Sequence, residues 1–166
     1  MRRIVTAGLA FAALLCAEAS ADEGAPGDAW YAGAAAKLVL PQGGARLRRL
    51  AGGAARAGRY LTEAVALEAE AAWLEDSAGL SVRALWHLHG WAAFDRLFGY
   101  ERFDPFLAAG ATGWLHDGQV GPTAGVGALY YLTDAWALRL DADATLGIDS
   151  GAEAVFSLSA CLQYSF

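Results

Sequence analysis

Apolar and polar residues alternate with a period of two along most of the chain. The clearest run is the last. Over 156–166 the even positions hold Phe156, Leu158, Ala160, Leu162, Tyr164 and Phe166, and the odd positions hold Ser157, Ser159, Cys161, Gln163 and Ser165. Successive side chains of a strand point to opposite faces, so this run is a strand with one apolar and one polar face. In 65–73 Val65, Leu67, Ala69, Ala71 and Trp73 oppose Glu68 and Glu70. In 82–89 Val82, Ala84, Trp86 and Leu88 oppose Arg83, His87 and His89. In 138–146 Leu138, Leu140, Ala142, Ala144 and Leu146 oppose Arg139, Asp141 and Asp143. In these three runs charge is confined to one face.

Eight segments follow from this pattern, at about 29–40, 53–62, 64–75, 79–91, 105–116, 122–132, 135–148 and 153–166. Turn residues separate them, among them Pro41-Gln42-Gly43-Gly44, Asp76-Ser77-Ala78-Gly79, Asp117-Gly118, Thr133-Asp134 and Asp149-Ser150-Gly151. Residues 63–75 are rich in Ala, Leu and Glu, which favour helix by propensity. The alternation and the shared segment length outrank that preference. Residues 92–103 do not alternate cleanly and leave room for one helix.

Composition narrows the classes. The chain is 166 residues long, 56% hydrophobic and 18% charged, with a formal charge of −6. It buries too much apolar surface to be disordered and is too acidic for a nucleic-acid partner. Arg2 and Arg3 precede a mostly apolar stretch over 4–17 and the small residues Ala19-Ser20-Ala21. That is a bacterial secretory signal over residues 1–21, too short to span a bilayer, which takes about 20 apolar residues. The expected mature domain is 22–166, with Cys161 its one cysteine and no internal disulfide.

An exported chain of two-faced strands is either a soluble periplasmic β protein, apolar face inward, or a membrane barrel, apolar face to lipid. Alternation alone does not separate the two. Strand length, the export signal and the aromatic residues favour lipid. Trp30, Tyr60, Tyr130, Trp136, Tyr164 and Phe166 lie near strand ends that would share one interface as a girdle.

The C-terminal Leu162-Gln163-Tyr164-Ser165-Phe166 resembles the assembly signal of bacterial outer-membrane proteins, with Leu162, Tyr164 and Phe166 as the signal positions. Residues 103–110 (FDPFLAAG) and 125–141 (GVGALYYLTDAWALRLD) resemble strand and hairpin motifs of the small OmpA/OmpX-like barrels. The resemblance implies an all-β, eight-stranded antiparallel up-and-down transmembrane barrel, located in the outer membrane after export, with both termini in the periplasm. It implies outer-membrane lipid and lipopolysaccharide as surroundings, the barrel-assembly machinery as a partner during biogenesis, and a monomer. No peptidoglycan-binding domain like that of OmpA-type proteins is expected, and no cell-wall anchoring is carried over.

Candidate chemistry lies on the polar faces. Lys37, Arg59, Arg83 and Arg139 are expected to meet Glu68, Glu70, Asp141 and Asp143 in the lumen, with His87 and His89 beside them. Eight strands leave an interior just wide enough for side chains, so these charges should pair and plug it. No cofactor or metal is expected. No serine stands near His87 or His89 at the spacing of the lipid A deacylases, so no enzyme is expected. A basic cluster, Arg46, Arg48, Arg49 and Arg56, suits contact with lipopolysaccharide phosphates. The expected role is structural or surface-interacting; a small channel, a lipid A-modifying enzyme and a soluble periplasmic binding protein are the competing classes.

If Phe166 and Tyr164 form the assembly signal, deleting Phe166 should abolish accumulation in the outer membrane and leave a degraded chain. Membrane fractionation and immunoblotting check this; a normal membrane yield would contradict it.

Overall fold

A computed structural model of the chain describes residues 29–41, 50–75, 77–88, 102–115, 119–147 and 154–166. The expected signal peptide, Arg46, Arg48, Arg49, His89 and most of the 92–103 segment lie outside these residues.

The described chain forms eight strands: β1 (Trp30–Pro41), β2 (Leu50–Thr62), β3 (Val65–Leu74), β4 (Ser77–His87), β5 (Phe103–Trp114), β6 (Gln119–Tyr131), β7 (Trp136–Leu146) and β8 (Ala154–Ser165). Each pairs antiparallel with its sequence neighbours, and β8 returns to β1 to close the barrel. The closing seam runs from Tyr31↔Ser165 to Pro41↔Val155. Beyond it, the Trp30 and Phe166 backbones exchange hydrogen bonds of 3.1 and 2.9 Å, so the seam is sealed to the last residue. An even strand number brings β1 and β8 to the same end, hereafter the terminus end. The alternating segments became strands, including the helix-prone 63–75. Closure satisfies every ladder from both sides and removes sheet edges, a tertiary gain that outweighs a few tenths of a kcal/mol per residue of helix preference.

Two short turns at the terminus end share one device. The Thr62 hydroxyl accepts hydrogen bonds from the Ala64 and Val65 amides at 3.2 and 3.1 Å. The Thr133 hydroxyl accepts from the Ala135 and Trp136 amides at 3.3 and 3.0 Å. The local sequences match in kind, Thr-Glu-Ala-Val and Thr-Asp-Ala-Trp. A threonine oxygen in this position occupies amides that a tight turn leaves without ladder partners. A register shift between Tyr60 and Thr62 adds a bulge just before the first of these turns.

The polar face points inward. Glu68, Arg83, Arg139, Asp141 and Ser159 are buried, whereas Leu140 is 65% exposed, Val82 64% and Leu80 56%. Leu158 and Leu162 on β8 are exposed too. Such a surface is unfavourable in water and suited to hydrocarbon. At about 3.3 Å per residue and a tilt near 40°, ten steps of β7 rise about 25 Å, the apolar height of a membrane barrel.

Exposed aromatics ring the terminus end: Trp30, Trp86, Tyr130, Trp136 and Tyr164. Trp136 and Tyr164 lie 4.8 Å apart between ring centroids, and Phe166 stacks on Tyr164 at 6.0 Å. Tyr60 is a correction to the expected girdle. It is half-buried and packs inside the barrel, 5.4 Å from Tyr31 and 5.2 Å from His87. On β2 the even positions face the lumen, and Tyr60 follows that parity just before the bulge.

Placing a charge on the outward face should be costly near mid-height. Leu140→Arg is expected to lose about 2–4 kcal/mol of stability, read as a lower urea midpoint for unfolding from lipid vesicles; no change would place Leu140 away from lipid.

Candidate functional site

The lumen is filled in layers. At the terminus end, Tyr31, Ala66, Leu85, Phe106, Ala108, Leu129 and Ala137 form an apolar cluster with Tyr60 and Tyr131 against it. Within it the imidazole Nδ1 of His87 lies 2.7 Å from a carboxylate oxygen of Asp104, and the Tyr131 hydroxyl donates to the same oxygen at 3.3 Å. Beyond the central layer, Thr112, Thr123 and Thr145 join hydroxyl to hydroxyl at 2.7 and 2.8 Å. Val39 and Leu74, with Trp114 and Val155 against them, occupy the opposite end.

The central layer is a closed ring of alternating charge. Glu70 accepts from Arg56 Nε at 2.6 Å. Arg56 also pairs with Asp141, which accepts from Arg139 Nε at 2.8 Å. Arg139 reaches Glu68 at 2.5 Å, Glu68 pairs with Arg83 at 2.5 Å, and Arg83 returns to Glu70 at 3.5 Å. Two further ions branch from the ring. Lys37 pairs with Glu70, and Asp143 accepts from Arg83 through both oxygens at 2.8 Å. Four cations thus meet four carboxylates. Ser159 accepts from Arg56 at 2.6 Å and donates to Asp141 at 3.0 Å. The Tyr31 hydroxyl donates to Glu68 at 3.0 Å.

The ring draws on β2, β3, β4 and β7, with Lys37 from β1 and Ser159 from β8. Strands β5 and β6 contribute space. A Cβ on Gly125 would lie 2.2 Å from an Asp143 carboxylate oxygen, so the bare backbone there admits that carboxylate. A Cβ on Gly127 would lie 2.3 Å from the Phe106 ring. That ring sits 4.6 Å beneath the Arg139 guanidinium, a stacking contact that covers the cation without adding charge.

Of the residues singled out in the sequence, Lys37, Glu68, Glu70, Arg83, Arg139, Asp141 and Asp143 stand in this layer, and His87 stands in the terminus-end cluster. Two assignments are corrected. Arg59 is exposed on the outward face of β2, with its guanidinium 5.6 Å over the Trp30 ring. Arg56, expected at the lipopolysaccharide surface, is 3% exposed and belongs to the ring. The physical reason is one of parity. β2 reads LAGGAARAGRYLT, almost all small residues, so alternation does not mark its inward face. Pairing with β3 does, because Arg56 stands opposite Glu70 while Arg59 stands opposite outward Leu67. Tyr31 and Ser159 were missed as ring partners; the alternation of β8 marked Ser159 as inward, whereas β1 carries no such mark at Tyr31, and the partners of both lie on other strands.

No known family model matches the chain, and no curated protein matches it. Solved structures match its fold. A de novo designed transmembrane β-barrel superposes with a TM-score of 0.59 at 16% identity, covering 87% of this chain and 100% of the design. Neisserial surface protein A gives 0.57 at 16% identity, covering 87% and 100%. The outer membrane protein OprG from Pseudomonas aeruginosa gives 0.55 at 10% identity, covering 88% and 99%. The chain has the fold of the small eight-stranded transmembrane barrels. Across these barrels the strands superpose with little sequence in common.

Removing one ring member leaves the others buried with less counter-charge. Glu68→Ala is expected to cost about 3 kcal/mol or more, whereas Glu75→Gln, in the exposed β3–β4 turn, should stay within about 0.5 kcal/mol. Urea midpoints in lipid vesicles check both, and equal midpoints would remove the ring as a source of stability.

Proposed function

We propose that the protein is an outer-membrane barrel with a structural or surface-interaction role, its lumen plugged by the charged ring. The observation that carries this is the continuity of the ring across the lumen, from Glu70 through Asp141 and Glu68 back to Glu70. Each guanidinium is held by carboxylates from more than one direction, so opening a path for ions means breaking several buried pairs together. The apolar clusters at the two ends add further barriers to hydrated ions. The export signal and the C-terminal assembly motif support the outer membrane as location, and the barrel-assembly machinery as the partner in reaching it. Arg46, Arg48 and Arg49 keep the role of contacting lipopolysaccharide phosphates, now without Arg56.

Purified protein in planar bilayers should therefore show no steady conductance. Arg83→Ala, which unpairs Asp143 and opens the ring, should add brief openings. A large, stable conductance of the wild-type protein would replace this reading with that of a channel.

A further inference from the structure

The ladder that closes the barrel leaves its own register weakly marked. Along the β1–β8 seam the outward residues Ala32, Ala34 and Ala36 stand opposite Tyr164, Leu162 and Ala160, and the inward residues Gly33, Ala35 and Lys37 stand opposite Gln163, Cys161 and Ser159. Sliding β8 along β1 by one residue would turn its polar face outward. Sliding it by two keeps every face as it is and gives up only pairs at the ends of the ladder. Alanine and glycine on β1 offer few contacts that tell these registers apart. A close fit exists at Gly33, where a Cβ would stand 2.6 Å from the Cys161 sulfur. A thiol on one rotatable bond turns aside from such a contact at little cost.

The ring discriminates where the seam does not. Arg56 on β2 reaches over both seam strands to Asp141 on β7. Ser159 on β8 stands between them, accepting from Arg56 at 2.6 Å and donating to Asp141 at 3.0 Å. From the far side β7 is held through the ladders of β5 and β6, by Arg83 on Asp143 and by Arg139 on Glu68. The inward neighbours of Asp141 along β7 are Arg139 and Asp143. A two-residue slip at the seam, about 7 Å, therefore brings Arg56 level with another guanidinium or with a carboxylate that Arg83 already holds through both oxygens. In either case Asp141 stays buried and loses Arg56, which is costly. We propose that the Arg56–Asp141 pair, seated on Ser159, is the latch that selects the register in which β8 closes on β1. This goes beyond a plug, which requires that the lumen charges pair but not that they pair in one register.

The test places two cysteines on the outward face of the seam. Cys16 and Cys161 are replaced by serine throughout, which relieves the Gly33 contact equally in every protein. Ala36→Cys with Ala160→Cys reports the observed register, and Ala36→Cys with Leu158→Cys or Leu162→Cys reports the two slipped ones. Each pair is carried by the otherwise unchanged chain, by Arg56→Gln and by Arg56→Lys. The proteins are folded into lipid vesicles and treated with dibromobimane, which fluoresces when it joins two thiols. A heat-dependent shift on gels identifies folded barrels, and only those are scored. The unchanged chain and Arg56→Lys should join positions 36 and 160. Arg56→Gln should raise a slipped pair about tenfold over its level in the unchanged chain. Folded Arg56→Gln joined only at 36 and 160, to the unchanged chain's extent, would overturn the latch, as would slipped pairs at equal levels in all three proteins. If Arg56→Gln does not fold, Asp141→Asn, which keeps the shape and removes the charge, takes its place and is read in the same way. Failure of both to fold while Arg56→Lys folds would make the pair a condition of folding rather than a choice of register, and would overturn the proposal.

Discussion

The ring of alternating charge in the lumen is the constraint on which the rest of the structure depends. A barrel in lipid turns its apolar face outward and loses the hydrophobic core that holds a soluble protein together. What fills the middle of the interior is polar, because the strands alternate there, and it must be self-satisfied, because little water fits inside eight strands. Three guanidiniums and three carboxylates in alternation meet both demands, since each charge has opposite charges on both sides. Lys37 and Asp143 extend the ring without unbalancing it.

The ring also ties strands that are remote around the barrel wall. Arg56 on β2 reaches Asp141 on β7, and Arg139 on β7 reaches Glu68 on β3. Ladder hydrogen bonds join only neighbours, whereas these pairs cross the lumen and hold its section. The β5–β6 side plays the complementary part. Gly125 and Gly127 give up side chains so that Asp143 and Phe106 can occupy the space, and Phe106 lies against Arg139. Strand β2 divides its cations between the two solvents. Arg56 neutralises carboxylates inside, and Arg59 lies over the Trp30 ring on the outward face.

Several elements were legible because their residues differ sharply between faces. β8 alternates without a break, and β3, β4 and β7 keep their charges to one side. Their strands and inward residues follow from period two alone. The turn at Thr133-Asp134 was legible as a separator, but its hydroxyl-to-amide bonds were not, since they depend on how the chain folds back. β2 was opaque for a different reason. Alanine and glycine suit either face, so Arg56 and Arg59, three residues apart, carried no local sign of which pointed inward. Tyr60 was misplaced for the same reason.

The sequence by itself determined the strand number and the two-faced character of the strands, because these rest on a periodicity inherent in the extended backbone. Tertiary structure decided which four cations are inside and the order in which the charges join. It also decided which polar partners complete their shells. The register between strands and the closure of β8 on β1 set those relations, which bring together residues as far apart as Arg56 and Ser159. No local pattern encodes such a distance, because it exists only once the sheet has closed.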